Sequence, residues 1–334
     1  MSETYCVASL GSIGKRHAEN LRRLRPGARI VGLRATNGDP GKTACDLFVS
    51  SIEEALTHSP RAAIIASPAS LHRDTAEGFL TAGVPVLVEK PLADTLAAAE
   101  RIAAAAKSAA VPAMVGYNLR FSPIFAKAKA AFEAGEIGDV PHARFSVGQY
   151  LPDWRPTQDY RKTVSARADL GGGALLELSH EIDLACWFFG LPDRVYAEGG
   201  QLSALEIDVE DVVELTLRYE NPARIVTVGL DFLARAPRRQ ILLTGADATL
   251  SADGIAQSVR IERGGGSQPE TSSFAPLDPN AAYMAEMTHF LDCVENGGSP
   301  SPSVENGLDV MRIVEAARRS MKDGRAIAMK DLPR

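Results

Sequence analysis

Along the first 120 residues, short apolar runs alternate with amphipathic stretches. "YCVASL", "RIVGL", "RAAIIAS", "VPVLVEK" and "VPAMVGY" have strand length and are bounded by polar residues or glycine. Between them, Lys15–Arg25, Leu71–Ala82 and Asp94–Ser108 read as helices. Parallel strands joined by right-handed helical crossovers produce this alternation, so the pattern predicts a doubly wound sheet. From about Arg120 the texture changes. A helical run at Pro123–Ala134 leads to "HARFSVGQYL". After a loop and another helix come "RVYAEGGQ", "DVVELTLRYE", "ARIVTVGLDF" and "RQILLTG". Their close spacing, with turn signals at Glu220-Asn221-Pro222 and Thr244-Gly245-Ala246, predicts a mostly antiparallel sheet. Arg263–Ser273 reads as a loop, and the tail from Asn280 is helical again, broken at "ENGGSPSPSVENG". No internal repeat is present. The pattern predicts an α/β nucleotide-type domain over 1–119 and an α+β domain over 120–334.

Composition narrows the function. A chain of 334 residues with 45% hydrophobic content can bury the cores of two domains. A formal net charge of −6 leaves no basic surplus to neutralise phosphates, so a nucleic-acid partner is not expected. The opening Met1-Ser2-Glu3-Thr4 is polar and the apolar run after it is too short for a secretory signal. Glu100, Arg101 and Lys107 interrupt the alanine-rich stretch, so no membrane association is expected. Cys6, Cys45, Cys186 and Cys293 are far apart and form no C-x-x-C pair, which suits free thiols in a reducing cytoplasm.

Four stretches carry candidate chemistry. "VASLGSIGKRHAEN" (Val7–Asn20) nearly spells G-x-G-x-x-G between a strand and a helix. Gly11 and Gly14 take the second and third glycine roles, close backbone approach to a pyrophosphate and tight helix–strand packing. With Ser12 and Ile13 they place a helix N-terminus where a phosphate would bind. Ser9 stands at the first glycine, where a positive φ would cost about 1–3 kcal/mol and an extended φ nothing. The plain alternative is an ordinary βα turn. About twenty residues after Gly14, the second strand ends in Arg34, with Thr36 and Asn37 close behind. Arginine attracts a 2′-phosphate where a carboxylate would repel it, so NADP(H) is favoured and NAD(H) possible. A merely solvated Arg34 would leave that choice open.

"ASPASLH" puts Ser67 and Pro68 at a strand end and His72 in the next helical turn, and "VLVEKPLA" puts Glu89 and Lys90 at another. Ligand crevices in open α/β sheets lie outside such strand ends. Lys90 is a candidate proton donor or electrostatic anchor, with a surface ion pair as the alternative. In "DLGGGALLELSHEIDLACWFFG", one amphipathic helix would carry Glu177, His180 and Asp183 as a polar set at i, i+3, i+6. A histidine beside carboxylates has the make-up of a general base with an orienting partner. A metal site is the weaker reading, because no second histidine cluster supports it. A structural histidine is the third.

Taken together, "LGSIGKRH", "SPASLH", "EKP", "GYNLRFSP", "GGGALLELSHEID" and "YMAEMTHFLDCVENG…GLDVMRIVEAARRS" resemble the Gfo/Idh/MocA family (glucose–fructose oxidoreductase, inositol dehydrogenase, rhizopine catabolism) over nearly the whole chain. The resemblance implies a Rossmann domain followed by an α+β domain with a large, mostly antiparallel open sheet that often forms a homodimer or homotetramer interface. It implies NAD(P)-dependent hydride transfer on sugars, cyclitols or related alcohols. It places the family's lysine on Lys90, near the nicotinamide, and its helix histidine on His180. Pro91 commonly follows a cis peptide in relatives. Ser9 departs from the family pattern, and so does Glu177, which precedes His180 by three positions where the family's acid precedes it by four.

The stretch "GQYLPDWRPTQDYRKTVSARADLGGG" is similar to a branch associated with surface-polysaccharide sugars. Tyr150, Asp153, Trp154, Asp159, Tyr160 and Arg161 there would suit a polyol, with Asn118 and Asp183 as further substrate contacts. A loop packed on the sheet is the alternative. The expected mechanism sets a sugar hydroxyl between Lys90 and His180. His180 takes the proton, assisted by Glu177. Lys90 polarises the oxygen and Glu89 keeps Lys90 cationic, opposing the effect of burial. Two other readings share these residues: redox-neutral elimination, epimerisation or glycoside cleavage on a tightly held cofactor, and a sensor that binds without catalysis.

Overall fold

The computed structural model describes residues 3–34 and 41–332. In chain order, β1 (Thr4–Ala8), α1 (Ser12–Leu24), β2 (Arg29–Leu33), β3 (Leu47–Val49), α2 (Ile52–Thr57), β4 (Ala63–Ile65), α3 (His72–Thr81), β5 (Val86–Glu89), α4 (Leu96–Ala109) and β6 (Ala113–Gly116) come first. Then follow α5 (Pro123–Glu133), β7 (His142–Gly148), α6 (Ala174–Glu177), α7 (His180–Phe189), β8 (Arg194–Gly200), β9 (Val212–Glu220) and β10 (Ala223–Asp231). The chain ends with β11 (Arg238–Thr244), β12 (Thr249–Asp253), β13 (Ser258–Glu262), β14 (Glu270–Ser273), α8 (Ala281–Asn296), α9 (Val304–Asp323) and β15 (Ile327–Ala328).

Two compact units emerge. The first comprises Met1–Asn118 with Asn280–Met311, and the second Leu119–Pro279 with Arg312–Arg334, the division falling within α9. In the first, six parallel strands run in the order β3-β2-β1-β4-β5-β6. Every residue of β1 is buried, as a strand covered by helices on both faces requires. Strand order reverses between β1 and β4, so a crevice opens at their C-terminal ends. Sequence patterning passes over β3 and α2, since three and six residues are too few to show a period.

The 280–311 stretch, which patterning grouped with the later residues, packs in the first unit through α8. The side-chain amides of Asn20 on α1 and Asn280 exchange hydrogen bonds of 2.8 and 3.3 Å. Arg25, just past α1, pairs with Glu295, and Tyr283 meets the His17 ring edge-on at 6.2 Å.

The second unit is built on a nine-stranded sheet ordered β14-β13-β12-β11-β7-β10-β9-β8-β15, antiparallel except where β7 meets β10. In β9, Val213, Leu215, Leu217 and Tyr219 are buried while the residues between them are not, the alternation of a sheet covered on one face. The predicted loop at Arg263–Ser273 is corrected at its end. Glu270–Ser273 pairs with β13 as an edge strand with no apolar face, which is why its sequence does not announce it. β12 and β13 also escaped the patterning.

Fully buried Ser320 on α9 accepts a hydrogen bond from the Ala197 N–H of β8 at 2.9 Å and donates to the Arg325 carbonyl at 2.7 Å. Ser320→Ala would leave a buried N–H without its acceptor, at a cost of about 1–3 kcal/mol. Urea unfolding should show that loss, and a change inside the error of the wild type would refute it.

Candidate functional site

The crevice of the first unit begins with the turn after β1. Ser9 donates its N–H to the Leu33 carbonyl at 2.9 Å and sits at φ +72°, so serine occupies the left-handed conformation that the first glycine would serve. Five residues on, a Cβ added to Gly14 would stand 2.0 Å from the Ser9 carbonyl oxygen. Only glycine lets α1 approach the turn that closely. At Gly11, the residue that caps α1, an added Cβ meets nothing within 4 Å, and the first N–H groups of α1 have no intrahelical acceptors. Ser12 and Ile13 supply the first turn without lining the crevice themselves.

A cavity of about 540 Å³ lies over the ends of β1, β2 and β4. Ser9, Gly11, Arg34, Ser51, Ser67 and Pro68 line its polar parts, and Leu33, Ile52 and Leu71 its apolar wall. The Ser67 hydroxyl is buried and has no hydrogen-bond partner. A buried hydroxyl is normally satisfied, so this one awaits a ligand group. Arg34 sits on the rim, 5.8 Å from the Phe48 ring centroid. Thr36 and Asn37 lie outside the described residues. Open backbone N–H groups, an orphan hydroxyl and a rim arginine fit a dinucleotide.

His72 is corrected. It is buried, its Nε2 lies 2.8 Å from the Ser67 carbonyl and its Nδ1 3.0 Å from that of Pro91. Burial pushes its pKa down, and the two carbonyls and Glu89 oppose that. It therefore fastens the loop after β4 to the loop after β5 and takes no place in the crevice wall.

Glu89 is corrected likewise, from a cofactor contact to a buried anchor. Its Oε1 lies 2.6 Å from His17 Nε2, and its Oε2 accepts the Lys90 backbone N–H at 3.2 Å. Burial alone would raise its pKa. The His17 hydrogen bond and the charges of His17 and Lys90 outweigh that and hold the carboxyl below its ordinary range. Lys90 is half-buried at the end of β5, and the Lys90–Pro91 peptide is cis.

Fully buried Glu286 on α8 completes this cluster, with atoms of the three side chains all within 4.8 Å of one another. Ionising both carboxyls at that separation would cost about 3–4 kcal/mol of repulsion at an effective dielectric constant of about 20. Accordingly, burial and the Glu89 charge push Glu286 well above its ordinary range. Two ligands sharing a zinc ion stand about 3 Å or more apart, so the 2.6 Å contact of His17 and Glu89 is that of a hydrogen bond rather than of a metal centre.

In the second unit the expected single helix is two. α6 ends at Glu177, Leu178 departs from helical geometry, and α7 starts at His180. Glu177 and His180 therefore stand on two helices rather than on one continuous face. Glu177 instead accepts the Ser165 hydroxyl at 2.6 Å. Leu176, four positions before His180, is buried and apolar.

Asp183 is corrected from substrate contact to structural anion. It is fully buried in a two-pronged pair with Arg120, at 2.7 and 2.9 Å. Burial raises its pKa while Arg120 opposes the shift. Arg161 pairs with both Asp159 and Glu206, so its charge is already met within the loop. Trp154 donates to the Gln149 carbonyl at 3.2 Å and packs edge-on against Phe232, and the Tyr160 hydroxyl accepts the Glu206 N–H at 3.2 Å. Tyr150 lies under the Arg235 guanidinium, 3.5 Å from its ring centroid. Asn118 is buried at the end of the first unit's chain segment.

Sequence reasoning assigned no role to His17, Glu286 or Arg120. A charged residue among Tyr283, Met287 and Phe290 at helical spacing was the available signal for Glu286, and His17 shares its helix face with Gly14, Ala18 and Leu21.

Comparison with known proteins agrees with this geometry. The oxidoreductase family with an NAD-binding Rossmann fold matches residues 5–117, and the GFO/IDH/MocA C-terminal domain matches 125–251. The D-apiose dehydrogenase of Paraburkholderia graminis is 30% identical over 285 residues, 80% of this chain and 72% of its own. A scyllo-inositol 2-dehydrogenase (NADP(+)) of Bacillus subtilis is 26% identical over 313 residues, 84% of this chain and 83% of its own. A levoglucosan dehydrogenase solved with NADH and L-sorbose shares the fold with a TM-score of 0.88 at 20% identity, covering 98% of this chain and 99% of that one. The chain belongs to the Gfo/Idh/MocA family of oxidoreductases. It is an NAD(P)-dependent dehydrogenase acting on CH–OH groups. No helix among the described residues is long and apolar enough to cross a membrane.

The turn yields two variants of opposite sign. Gly14→Ala is expected to weaken NAD(P)H binding by at least about tenfold, equivalent to about 1.4 kcal/mol, because the Cβ must push the Ser9 carbonyl away. Ser9→Gly should stabilise the fold by about 1 kcal/mol, by relieving the positive φ. Fluorescence titration and thermal unfolding read the two effects, and a Gly14→Ala protein that binds cofactor normally would sink the close-approach argument.

Proposed function

We propose that this dehydrogenase moves a hydride between NADP(H), with NAD(H) as the poorer alternative, and a CH–OH or ketone carbon of a sugar, cyclitol or sugar derivative. The observation that carries the reading is the crevice over β1, β2 and β4, where the open Gly11 backbone, the unpartnered Ser67 hydroxyl and Arg34 meet. The names of the apiose and inositol dehydrogenases among its relatives support the substrate class. When bound, the nicotinamide supplies the hydride acceptor or donor.

The chain's own residues do the rest. The N–H groups of Gly11–Gly14 meet the pyrophosphate, and Arg34 meets the 2′-phosphate through charge-assisted hydrogen bonds. Lys90, fixed at a strand end, stabilises negative charge as it develops on the reacting oxygen. His180 takes the hydroxyl proton in oxidation and returns it in reduction. Tyr150, half-buried beneath Arg235, supplies an apolar face for a ring. Homo-oligomerisation falls to the outer face of the nine-stranded sheet, where Tyr196, Ile225 and Leu242 are exposed beside Thr216, Thr227 and Arg144. Sedimentation at monomer mass would remove that assignment.

Titration of cofactor-free protein with NADPH and NADH tests the cofactor reading. NADPH is expected to bind more tightly, and Arg34→Ala to weaken NADPH by about 10–100-fold while sparing NADH, since a hydrogen bond to a charged group contributes about 1.5–3 kcal/mol. Tighter NADH binding would discard the role of Arg34. His180→Ala and Lys90→Met should each lower turnover by about 10²–10⁴-fold with cofactor binding kept. Near-normal turnover in either variant would remove that residue from the mechanism.

A further inference from the structure

Behind Lys90 the fold buries an acid that the mechanism above does not use. Glu286 is fully buried, and neither of its carboxyl oxygens has a hydrogen-bond partner. The groups placed against it come from three elements: His17 on α1, Glu89 at the end of β5, and Tyr283 on its own helix α8. His17 and Glu89 lie within 4.8 Å of it, and Arg16 is engaged 4.6 Å above the Tyr283 ring. Glu89 is committed on both sides, to His17 at 2.6 Å and to the Lys90 N–H at 3.2 Å. A second anion at this spot, with no donor of its own, would compete with Glu89 for His17 and so loosen the carboxylate that holds the Lys90 backbone N–H.

We propose that Glu286 stands in the fold as a neutral carboxylic acid and is a positioning residue for the dehydrogenase reaction. It fills the space behind Glu89 without charge, so that the Glu89 carboxylate keeps His17 on one side and the Lys90 N–H on the other. The inference rests on Lys90 acting at the reacting oxygen. Burial and the Glu89 charge favour the protonated form in the same direction as the geometry. The folded chain then holds a proton that the unfolded chain releases. Stability therefore falls as pH rises from the ordinary glutamate range upward, and Glu286→Gln, neutral at every pH, escapes that loss.

Isotope-edited infrared spectra of the full chain, labelled with carbon-13 at glutamate and recorded near neutral pH, test the protonation. The carbonyl band of a neutral acid is expected in the wild type and its loss in Glu286→Gln. The melting temperature of Glu286→Gln should exceed that of the wild type by a margin that widens toward alkaline pH. In turnover, Glu286→Ala should lower kcat by about a hundredfold through misplacement of Lys90. Glu286→Gln should restore most of that rate and flatten the alkaline decline of kcat.

Absence of the band, a margin that does not change with pH, or a Gln variant as impaired as the Ala variant would each overturn the proposal. So would a metal ion that copurifies with the wild type and is lost in Glu286→Gln. A band present in a protein whose Lys90→Met variant turns over normally would overturn the Lys90 reading and the positioning role with it, leaving the protonation of Glu286 standing.

Discussion

The first unit depends on the approach of α1 to the turn that precedes it. With a Cβ at Gly14 the chain would collide with the Ser9 carbonyl, and the helix would swing away from the sheet. Because it does not, three features follow from one close contact. The N-terminus of α1 is set at the edge of the crevice, where its cap residue Gly11 forms part of the wall. His17, one turn on from Gly14, reaches inward to Glu89 at the end of β5. The same side of the helix meets α8, which brings Tyr283 and Glu286 to His17. The cofactor crevice and the support behind Lys90 are thus two consequences of how one helix meets one strand.

Buried charge is handled differently in the two units. In the second, α7 buries Glu181 and Asp183, and each has an arginine: Arg239 at 2.7 Å for Glu181 and Arg120 at 2.7 Å for Asp183. Losing one partner from such a pair strands a buried ion, so these contacts constrain the sequence more than they stabilise the fold. His180, in the same first turn, stays half-exposed. In the first unit two carboxyls share one imidazole, and the imbalance is resolved by a proton rather than by a second cation. The contrast explains why Asp183 is spent on structure while Lys90 keeps its place at the strand end.

Burial made most strands of both sheets legible, although β12 and β13 escaped notice despite their alternating burial. β1, β4, β5 and β6 read as continuous apolar runs because helices cover both faces, and β9 alternates because one face is wet. β3 and β14 were not legible, because a three-residue strand and a polar edge strand leave no period to detect. Gly11, Arg34, Ser67 and Pro68, which line the crevice, stand out in the sequence through the glycine motif, its spacing to the second strand and the strand ends. The break between α6 and α7 could not, since Glu177 and His180 keep a spacing that suits a helix and no proline or glycine separates them. Nor could the fate of Asp183, whose partner lies 63 positions away. Tertiary pairing of charges carries no local signal.

Ser9 shows how far the surroundings override the residue. Its φ of +72° belongs to the region where glycine is at ease and a side chain costs about 1–3 kcal/mol. The conformation persists because the neighbours fix it from both sides: the Ser9 N–H is held by the Leu33 carbonyl, and the Ser9 carbonyl is where Gly14 must pass. With β1 paired to β2 through Ala8 and Leu33 and the Ser9 N–H held by Leu33, an extended φ at Ser9 would redirect the Ser9 carbonyl and the start of α1. The strain is therefore the smaller cost, and the side chain that causes it lines the crevice beside Gly11. A missing glycine in this motif changes the energy of the turn while leaving its geometry in place.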